Sequence, residues 1–347
     1  MGTVQRDPLK LGRVRRKAIS DDSRSLVTAR PLYEQHAIPL LVEPVVPGLR
    51  LVEWARDNTV YVSELLSQHR ALLFRGFEPV TVDSFAAFVD ATSVGERLEY
   101  RDRTTPRTTK GNRVYTSTIH PADQRIDPHN EGTYWSRWPG KLFLACMVEP
   151  KEGGETPIGD VRRVLANIPE EIRARFIAKN WMLVRNYNDG FGLPWQEVFQ
   201  SDSKADVEDY CSRNDIRYEW KTGDRLRTAQ VRPPIRKHPV TGEEVWFNHA
   251  AFFHYTSLED QMRSALVAEF GEAGLPYNTC YGDGTAIEPE TAACLRAAYE
   301  KEKIVFPWRR GDVALLDNMS VYHAREPYKG ERAVIVAMSD TVVPDSA

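Results

Sequence analysis

The stretch Asp312-Val-Ala-Leu-Leu-Asp-Asn-Met-Ser-Val-Tyr-His323 joins a short strand-like run to a loop and a histidine. A second β-rich run, Ala333–Met338, follows it. Short runs of aliphatic and β-branched residues bounded by polar turns are typical of strands buried in a sheet. We therefore predict that the C-terminal part of the chain is mainly β-structure.

Further strand-like runs occur earlier in the chain, and helical patterns are inserted between them. The predicted strands are Ala71–Phe77, Lys141–Glu149, Trp181–Tyr187, Ile216–Lys221, Leu226–Val231 and Val245–Asn248. The predicted helices are Val82–Ala91, Asp160–Ala166, Pro169–Ala178, Leu258–Phe270 and Glu288–Lys303. This order lacks the regular βαβ alternation of a doubly wound sheet. We predict an α+β fold in which helices flank a double-stranded β-helix, or jelly roll.

The composition is that of a soluble globular protein, since 41% of the 347 residues are hydrophobic and 27% are charged. A net charge of −3 gives no global attraction to nucleic acid or to an anionic membrane, so neither is an expected partner. The N-terminus is locally basic and has no aromatic residues for base stacking. We predict a basic arm at residues 1–25 and a single domain at residues 26–347.

Several sequence patterns are absent. No apolar run is long enough for a transmembrane helix, and the N-terminus lacks the apolar region of a secretory signal. The four cysteines form no CxxC pair, which is typical of a reduced cytoplasmic protein without structural zinc. The phosphate-binding patterns GxGxxG and GxxxxGKS/T are missing, which argues against a nucleotide-dependent enzyme.

A candidate metal-binding pair lies in the stretch Asp127-Pro-His-Asn-Glu131. In an extended segment, residues two apart point to the same side, so His129 and Glu131 can offer a nitrogen and an oxygen to one ion. A second histidine would complete the 2-His-1-carboxylate facial triad that binds non-haem iron(II) and leaves coordination positions open. The pair alone is weak, because a histidine and a glutamate at this spacing often arise by chance.

The C-terminal stretch supplies the missing ligand. We favour His323, because Arg332 follows it at the start of the next strand, and a guanidinium can bind a dicarboxylate bidentately. We expect Arg332 to lie on a strand next to that of His323. The turn Gly153-Gly154-Glu155-Thr156 can present a threonine hydroxyl to the same carboxylate. On composition alone, three other histidines remain alternative ligands: His120, His249 and His254.

Together, these stretches resemble the TauD/TfdA family of iron(II)/2-oxoglutarate-dependent oxygenases. The chain is most similar to the branch of SyrP-type amino-acid hydroxylases of natural-product assembly lines, and the resemblance runs from about residue 25 to the C-terminus. It is carried by Val114-Tyr-Thr-Ser-Thr118, Pro128-His-Asn-Glu131, Glu152-Gly-Gly-Glu-Thr-Pro157, Trp246-Phe-Asn248, Leu315-Leu-Asp-Asn318, His323 and Arg332. Most members of the family have aspartate at the position of Glu131, whereas the SyrP-like and clavaminate-synthase-like branches have glutamate.

The resemblance implies the roles of five residues. His129, Glu131 and His323 match the catalytic iron(II) ligands, and Thr156 and Arg332 match the contacts of the cosubstrate 2-oxoglutarate, with O2 as oxidant. The expected reaction is hydroxylation of an unactivated C–H bond, or desaturation or cyclisation by the same oxidising chemistry. Related halogenases lack a carboxylate at the position of Glu131, so chlorination is disfavoured.

The expected substrate is an amino acid or an amino-acid-derived small molecule of natural-product biosynthesis, either free or tethered to a carrier protein. Seven residues are candidates for binding it: Tyr115, Ser117, Thr118, Tyr134, Arg137, Asn248 and Arg325. The aromatic residues after the iron ligands can equally be core residues, and Arg325 can equally form a surface salt bridge.

Two other classes of function compete with the oxygenase. A zinc hydrolase with two histidines and one glutamate would work without O2, but it would have no use for Thr156 and Arg332. A non-catalytic, cupin-like binding protein would lose little on Glu131→Ala. A homo-oligomer is a further expectation.

Overall fold

The computed structural model describes residues 23–95, 97–98, 114–116, 120–187 and 192–344. The strands in these ranges are β1 (Val27–Pro31), β2 (Leu40–Pro44), β3 (Ala71–Phe74), β4 (Tyr115–Thr116), β5 (Ile126–His129), β6 (Trp138–Val148), β7 (Glu152–Gly153), β8 (Ile158–Asp160), β9 (Trp181–Tyr187), β10 (Arg217–Lys221), β11 (Arg225–Arg232), β12 (Ile235–Lys237), β13 (Glu244–Trp246), β14 (Tyr277–Tyr281), β15 (Val313–Asp317), β16 (Val321–Arg325), β17 (Tyr328–Lys329) and β18 (Ala333–Val342). The helices are α1 (Leu51–Asp57), α2 (Thr59–His69), α3 (Val82–Thr92), α4 (Val161–Asn167), α5 (Glu170–Lys179), α6 (Trp195–Phe199), α7 (Lys204–Arg213), α8 (Asp260–Gly274) and α9 (Pro289–Lys301).

The largest sheet, called the main sheet below, has seven strands in the order β1-β2-β3-β15-β6-β18-β4. Its neighbours are antiparallel except for β2 and β3, which are parallel. Side chains alternate between the faces of a strand, so Leu142 and Leu144 of β6 join one apolar cluster and Phe143 and Ala145 join another. The main sheet is therefore buried on both faces.

Helix α3 packs against the face of the main sheet that carries Phe143 and Ala145. A capping box starts the helix, because the Thr81 hydroxyl accepts from the Ser84 N–H and the Ser84 hydroxyl accepts from the Thr81 N–H. The helix buries Phe85 and Phe88, and the ring of Phe88 meets that of Phe143 edge-on, with 6.0 Å between centroids. Each buried ring contributes about 1.5–3 kcal/mol to folding. Helices thus close one face of the sheet and leave the other face for a second sheet.

Three short strands in the order β5-β16-β8 form the second sheet, called the minor sheet below. His323 on the central strand is the register partner of His129 on one side and of Ile158 on the other. Side chains from both sheets line one cavity, including Ile126 of the minor sheet and Leu144 of the main sheet. Two sheets around a common cavity, with helices outside, form the predicted double-stranded β-helix, which confirms the predicted fold class.

Arg332 differs from its predicted position. It directly precedes β18, which pairs with β4 and β6 in the main sheet, whereas His323 lies on β16 in the minor sheet. The two residues therefore face each other across the cavity and are not on neighbouring strands. The cause is topological, because the β7–β17 pair lets the chain cross between the sheets after β16.

The remaining strands lie outside the two sheets of the jelly roll. A four-stranded sheet in the order β10-β11-β9-β14 packs with α6 and α7 around a third apolar cluster, which includes Trp195, Val207 and Leu226. β12 and β13 form a hairpin. In the part of the chain that the structure describes, no helix is long and apolar enough to cross a membrane. Residues 1–22 of the predicted arm lie outside the described residues. The boundary between arm and domain at residue 25 therefore stays a prediction.

Candidate metal centre

Strand pairing brings the three predicted ligands together. His129 ends β5 and His323 lies opposite it on β16, with 4.3 Å between their ring centroids. Glu131 follows β5, and its Oε1 lies 3.7 Å from Nε2 of His323. One ligand atom of each residue lies within 4.8 Å of the others. Among the described residues, this is the one set of three or more His, Cys, Asp or Glu side chains close enough to share a metal ion.

The environment of His129 determines which of its ring nitrogens can bind a metal. Nδ1 lies 2.8 Å from the carbonyl oxygen of Asp127. A carbonyl oxygen only accepts hydrogen bonds, so Nδ1 carries the proton and donates it. Nε2 is therefore the ring nitrogen that can bind a metal, as in histidine ligands oriented by a carbonyl.

Two fully buried asparagines connect the Glu131 segment to the segment that leads to His323. Asn318 Oδ1 accepts from the Glu131 N–H at 2.8 Å, and its Nδ2 donates to the carbonyl oxygens of Glu131 at 2.9 Å and Pro139 at 2.8 Å. Asn130 Nδ2 donates in return to the carbonyl oxygens of Asn318 and Val321. The backbone on both sides of Glu131 is thus held to the turn before β16.

The other candidate histidines are placed differently. His249 is buried near the ligands, with its ring centroid 5.8 Å from that of His129, but it lies outside the ligand set and its Nδ1 is hydrogen-bonded to the Thr133 hydroxyl. Burial holds the pKa of His249 well below its usual value, and the nearby His129 lowers it further. Both ring nitrogens of His254 have other partners: Nδ1 lies 2.7 Å from the Thr256 hydroxyl, and Nε2 lies 3.1 Å from the carbonyl oxygen of Ile287. His254 and His120 are both outside the ligand set.

The donor set fits iron(II). Two atoms bound to one first-row metal ion at about 2.1 Å lie roughly 3–4 Å apart, close to the spacing of the Glu131 and His323 atoms. Two imidazoles and one carboxylate form the facial set that is diagnostic of non-haem iron(II) oxygenases. His323 is 8% and Glu131 3% exposed, so an ion bound here would be shielded from bulk water.

The cavity beside the ligands extends to Thr156 and Arg332. Its lining consists of Ile126, His129, Glu131, Leu144, Thr156, His323, Ala324, Arg325, Arg332, Val334 and Val336. Arg332 Nε donates to the Gly154 carbonyl oxygen at 2.8 Å, and its Nη2 lies 3.4 Å from Thr156 Oγ1. The cavity thus has apolar walls and a polar end formed by Thr156 and Arg332, and it lies next to the candidate metal ligands.

The Gly153-Gly154 turn makes this arrangement possible. Both glycines have positive φ, +67° and +70°. A Cβ on Gly153 would lie 2.1 Å from the Pro327 carbonyl oxygen, and one on Gly154 would lie 3.0 Å from Arg332 Cδ. Only glycine lets the turn approach the chain before β18 this closely.

The guanidinium of Arg332 is charged and partly buried. Burial, with the nearby charge of Arg325, lowers its pKa to about 10, so it remains protonated at neutral pH. Among the described residues, no carboxylate lies within salt-bridge distance of it. Since removing a cation from water is costly without an anionic partner, the cavity is suited to an anionic ligand such as the distal carboxylate of 2-oxoglutarate.

The structure places the predicted substrate-binding residues in different surroundings. Tyr115 lies on β4 opposite the cavity residue Val336, and Tyr134 packs against His249 at 5.5 Å between ring centroids. Arg137 is exposed. Ser117 and Thr118 lie outside the described residues.

The side chains of two more of these residues form hydrogen bonds with main-chain atoms. Asn248 donates to the Pro234 carbonyl oxygen and accepts from the Ala250 N–H. Arg325 lines the cavity but donates to the carbonyl oxygens of three residues in the loop before β5: His120, Pro121 and Gln124. These contacts hold the loop and the ligand strands together.

Two residues of the site were not predicted from the sequence. Trp308 Nε1 donates to Thr156 Oγ1 at 2.8 Å, and Asn318 lies in the stretch Leu315-Leu-Asp-Asn318, for which no role was predicted. A signal for Trp308 exists, because a buried indole N–H needs an acceptor and Trp308 stands in a polar turn before β15. Nothing local indicates the partners of Asn318, which are distant in sequence.

Comparisons with known proteins identify the family of this chain. Residues 37–338 match the profile of the family described as taurine catabolism dioxygenase TauD, TfdA family. The dapdiamide synthesis protein DdaC of Enterobacter agglomerans is 43% identical over 285 residues, covering 82% of this chain and 86% of DdaC. The clavaminate synthase-like protein At3g21360 of Arabidopsis thaliana is 30% identical over 325 residues, covering 88% of this chain and 94% of that protein.

The fold is also similar to solved structures. The crystal structure of AAD-2 in complex with Mn(II) and N-oxalylglycine matches with a TM-score of 0.57, covering 92% of this chain and 99% of AAD-2. At 13% sequence identity, this likeness concerns the fold alone. Because the family profile and both relatives span most of the sequence, the chain belongs to the TauD/TfdA family and is an iron(II)- and 2-oxoglutarate-dependent dioxygenase.

Proposed function

We propose that His129, Glu131 and His323 hold the catalytic iron(II), and that Arg332 and Thr156 bind the distal carboxylate of 2-oxoglutarate. The observation that carries this proposal is the position of a partly buried guanidinium, with no carboxylate partner among the described residues, at the far end of a cavity that begins at the ligand set. A dicarboxylate can contact both ends of this cavity.

Iron(II), 2-oxoglutarate and O2 together supply an oxidant that can break an unactivated C–H bond, with succinate and CO2 as coproducts. The residues of this chain orient the reactants and exclude water. The Asp127 carbonyl oxygen orients the His129 ring, Asn318 orients the backbone of Glu131, and apolar side chains such as Leu144 and Val336 line the cavity. The carboxylate of Glu131 fills a ligand position, which supports hydroxylation over chlorination.

We propose an amino acid or an amino-acid derivative as the substrate, in the biosynthesis of a small natural product. The similarity to DdaC, a dapdiamide synthesis protein, supports this class. Presentation by a carrier protein, a homo-oligomeric state and a cytoplasmic location remain predictions.

The test is an anaerobic titration of the purified protein with iron(II) and 2-oxoglutarate, followed by optical spectroscopy. We expect a visible band from the intact protein and its loss in His323→Ala, which removes one ligand. His254→Ala is the matched control, because it removes a buried imidazole outside the ligand set. A band that survives undiminished in His323→Ala would refute the ligand assignment.

The substrate is addressed in the same preparation under air. Succinate release should be stimulated by at least one member of a panel of free amino acids or of carrier-bound aminoacyl groups. Activity that needs neither O2 nor 2-oxoglutarate would contradict the oxygenase assignment and favour a hydrolase.

A further inference from the structure

Thr156 has an unusual set of hydrogen-bond partners. Its Oγ1 lies 2.8 Å from Nε1 of Trp308 and 3.4 Å from Nη2 of Arg332. An indole and a guanidinium are donors only, so the threonine oxygen accepts from both. A hydroxyl has two acceptor lone pairs and one proton, and both lone pairs are therefore occupied.

The hydroxyl proton of Thr156 must then point in the remaining direction. Thr156 is 4% exposed and lines the cavity, and no acceptor for its proton lies among the described residues. A buried donor without an acceptor is unfavourable, which favours a ligand that accepts there. A carboxylate bound by Arg332 would supply that acceptor.

The position of Trp308 is itself well supported. The preceding carbonyl oxygen, that of Pro307, accepts from Arg75 at 2.8 Å, and the following N–H, that of Arg309, donates to Asp312 at 2.8 Å. Arg75 and Asp312 form a buried ion pair at 2.6 Å. The backbone on both sides of Trp308 is therefore held by one ion pair, which fixes the position from which the indole reaches Thr156.

We propose that Trp308 is a positioning residue for the cosubstrate. By donating to Thr156 Oγ1, it directs the threonine hydroxyl proton into the cavity, toward the carboxylate that Arg332 binds. This inference rests on the proposed contact of 2-oxoglutarate with Thr156 and Arg332. It adds a residue that acts on the cosubstrate only through Thr156.

The experiment measures the dissociation constant of 2-oxoglutarate by calorimetry on the full chain with Mn(II), which avoids turnover. Trp308→Phe should weaken binding about five-fold, the typical effect of one lost hydrogen bond. Trp181→Phe is the matched control, because the buried Trp181 N–H has no hydrogen-bond partner among the described residues, and we expect no change. Unfolding midpoints of both variants should be measured alongside.

A double-mutant cycle separates positioning from packing. In a Thr156→Val background there is no hydroxyl to orient, so Trp308→Phe should have no further effect on the dissociation constant. If Trp308→Phe leaves binding unchanged in the native background, or weakens it equally in both backgrounds, the positioning role is refuted. If Trp308→Phe does not fold, 3-benzothienylalanine at position 308 keeps the ring shape and removes only the N–H.

The binding measurement distinguishes a failure of the proposed function from a failure of the proposed role of Trp308. An intact protein that does not bind 2-oxoglutarate with Mn(II) would overturn both the proposed function and the role of Trp308. Normal binding by the intact protein, with no effect of Trp308→Phe, would overturn only the role of Trp308.

Discussion

Asn318 connects the backbone around one proposed iron ligand, Glu131, to the turn that precedes another, His323. Its amide makes three hydrogen bonds to main-chain atoms of Glu131 and Pro139, and it is fully buried. Both sides of the amide are used, one as acceptor and the other as a double donor. A carboxylate of the same shape could keep the first role and would lose the second.

We therefore expect Asn318→Asp to weaken iron(II) binding by at least about ten-fold, because two carbonyl oxygens would face a carboxylate and the Glu131 segment would shift. Calorimetry with iron(II) under anaerobic conditions measures the change. Asn58→Asp is the matched control, since Asn58 is also buried and donates to the Trp54 carbonyl oxygen, outside the site. This control should lower the free energy of unfolding and leave iron affinity unchanged. Equal iron affinity in both variants would contradict the role of Asn318.

At the scale of elements, the turn between β12 and β13 is tied to two other parts of the fold. Glu243 accepts from Arg70, which directly precedes β3, and from Arg162 of α4. The hydrogen bond from Arg70, together with that from Arg162, lowers the pKa of Glu243 from 4.5 to about 2. The hairpin is thus attached to the main sheet and to a helix by one carboxylate.

A carboxyl group whose pKa is depressed by folding stabilises the protein above its unfolded pKa, and this contribution is lost as the pH falls toward the folded value. Glu243→Gln should therefore lower the free energy of unfolding at pH 7 by about 0.5–1 kcal/mol, a small value because the carboxylate is partly exposed. At pH 3 the difference should shrink. Urea denaturation at both pH values tests this, with the exposed neighbour substitution Glu244→Gln as control. A difference that is the same at pH 3 and pH 7 would argue against the ion pairs.

The elements also differ in how well the sequence predicts them. Long, apolar strands such as β6 and β9 and amphipathic helices such as α3 and α9 were predicted close to their observed bounds, because burial imposes a clear pattern. The short strand β8 was not predicted, and the extended segment expected to contain both His129 and Glu131 ends at His129, so that Glu131 lies in the following turn. Both β5 and β8 have few residues and mixed polarity. Their pairing with β16 depends on contacts between segments that are distant in sequence.

The residues of the site also divide into those that local sequence patterns predict and those that depend on contacts between distant segments. His129, Glu131, Thr156 and Arg332 lie in recognisable motifs, whereas Trp308 becomes visible only when folding brings it against Thr156. His323 was predicted to follow a loop, but it lies within β16, where its neighbours in space are His129 and Ile158. Local patterns therefore identify the chemical groups, and the sheet topology determines which of them meet.

At the scale of the whole molecule, the predicted basic arm is the part of the chain suited to a carrier protein. Residues 1–17 include six lysines and arginines, and an acidic carrier domain would be attracted to them. We expect deletion of residues 1–17 to raise KM severalfold for a carrier-tethered aminoacyl substrate at low salt, and to leave turnover of a free amino acid unchanged. The deletion effect should disappear near 0.5 M salt, where charges are screened over a few ångströms. Identical kinetics of the intact and shortened chains with the tethered substrate would exclude this docking role.

The register of β5 and β16 has one more consequence. His129 and His323 are direct partners across two paired strands, so the backbone hydrogen bonds between β5 and β16 set the distance between the two residues. Loops that join other elements can be lengthened without moving either ring, provided that the two strands stay paired. Inserting a single residue inside either strand would turn one histidine to the opposite face of the sheet. Tolerance to insertions should therefore be high in the connections and absent within these two strands, whatever residue is inserted.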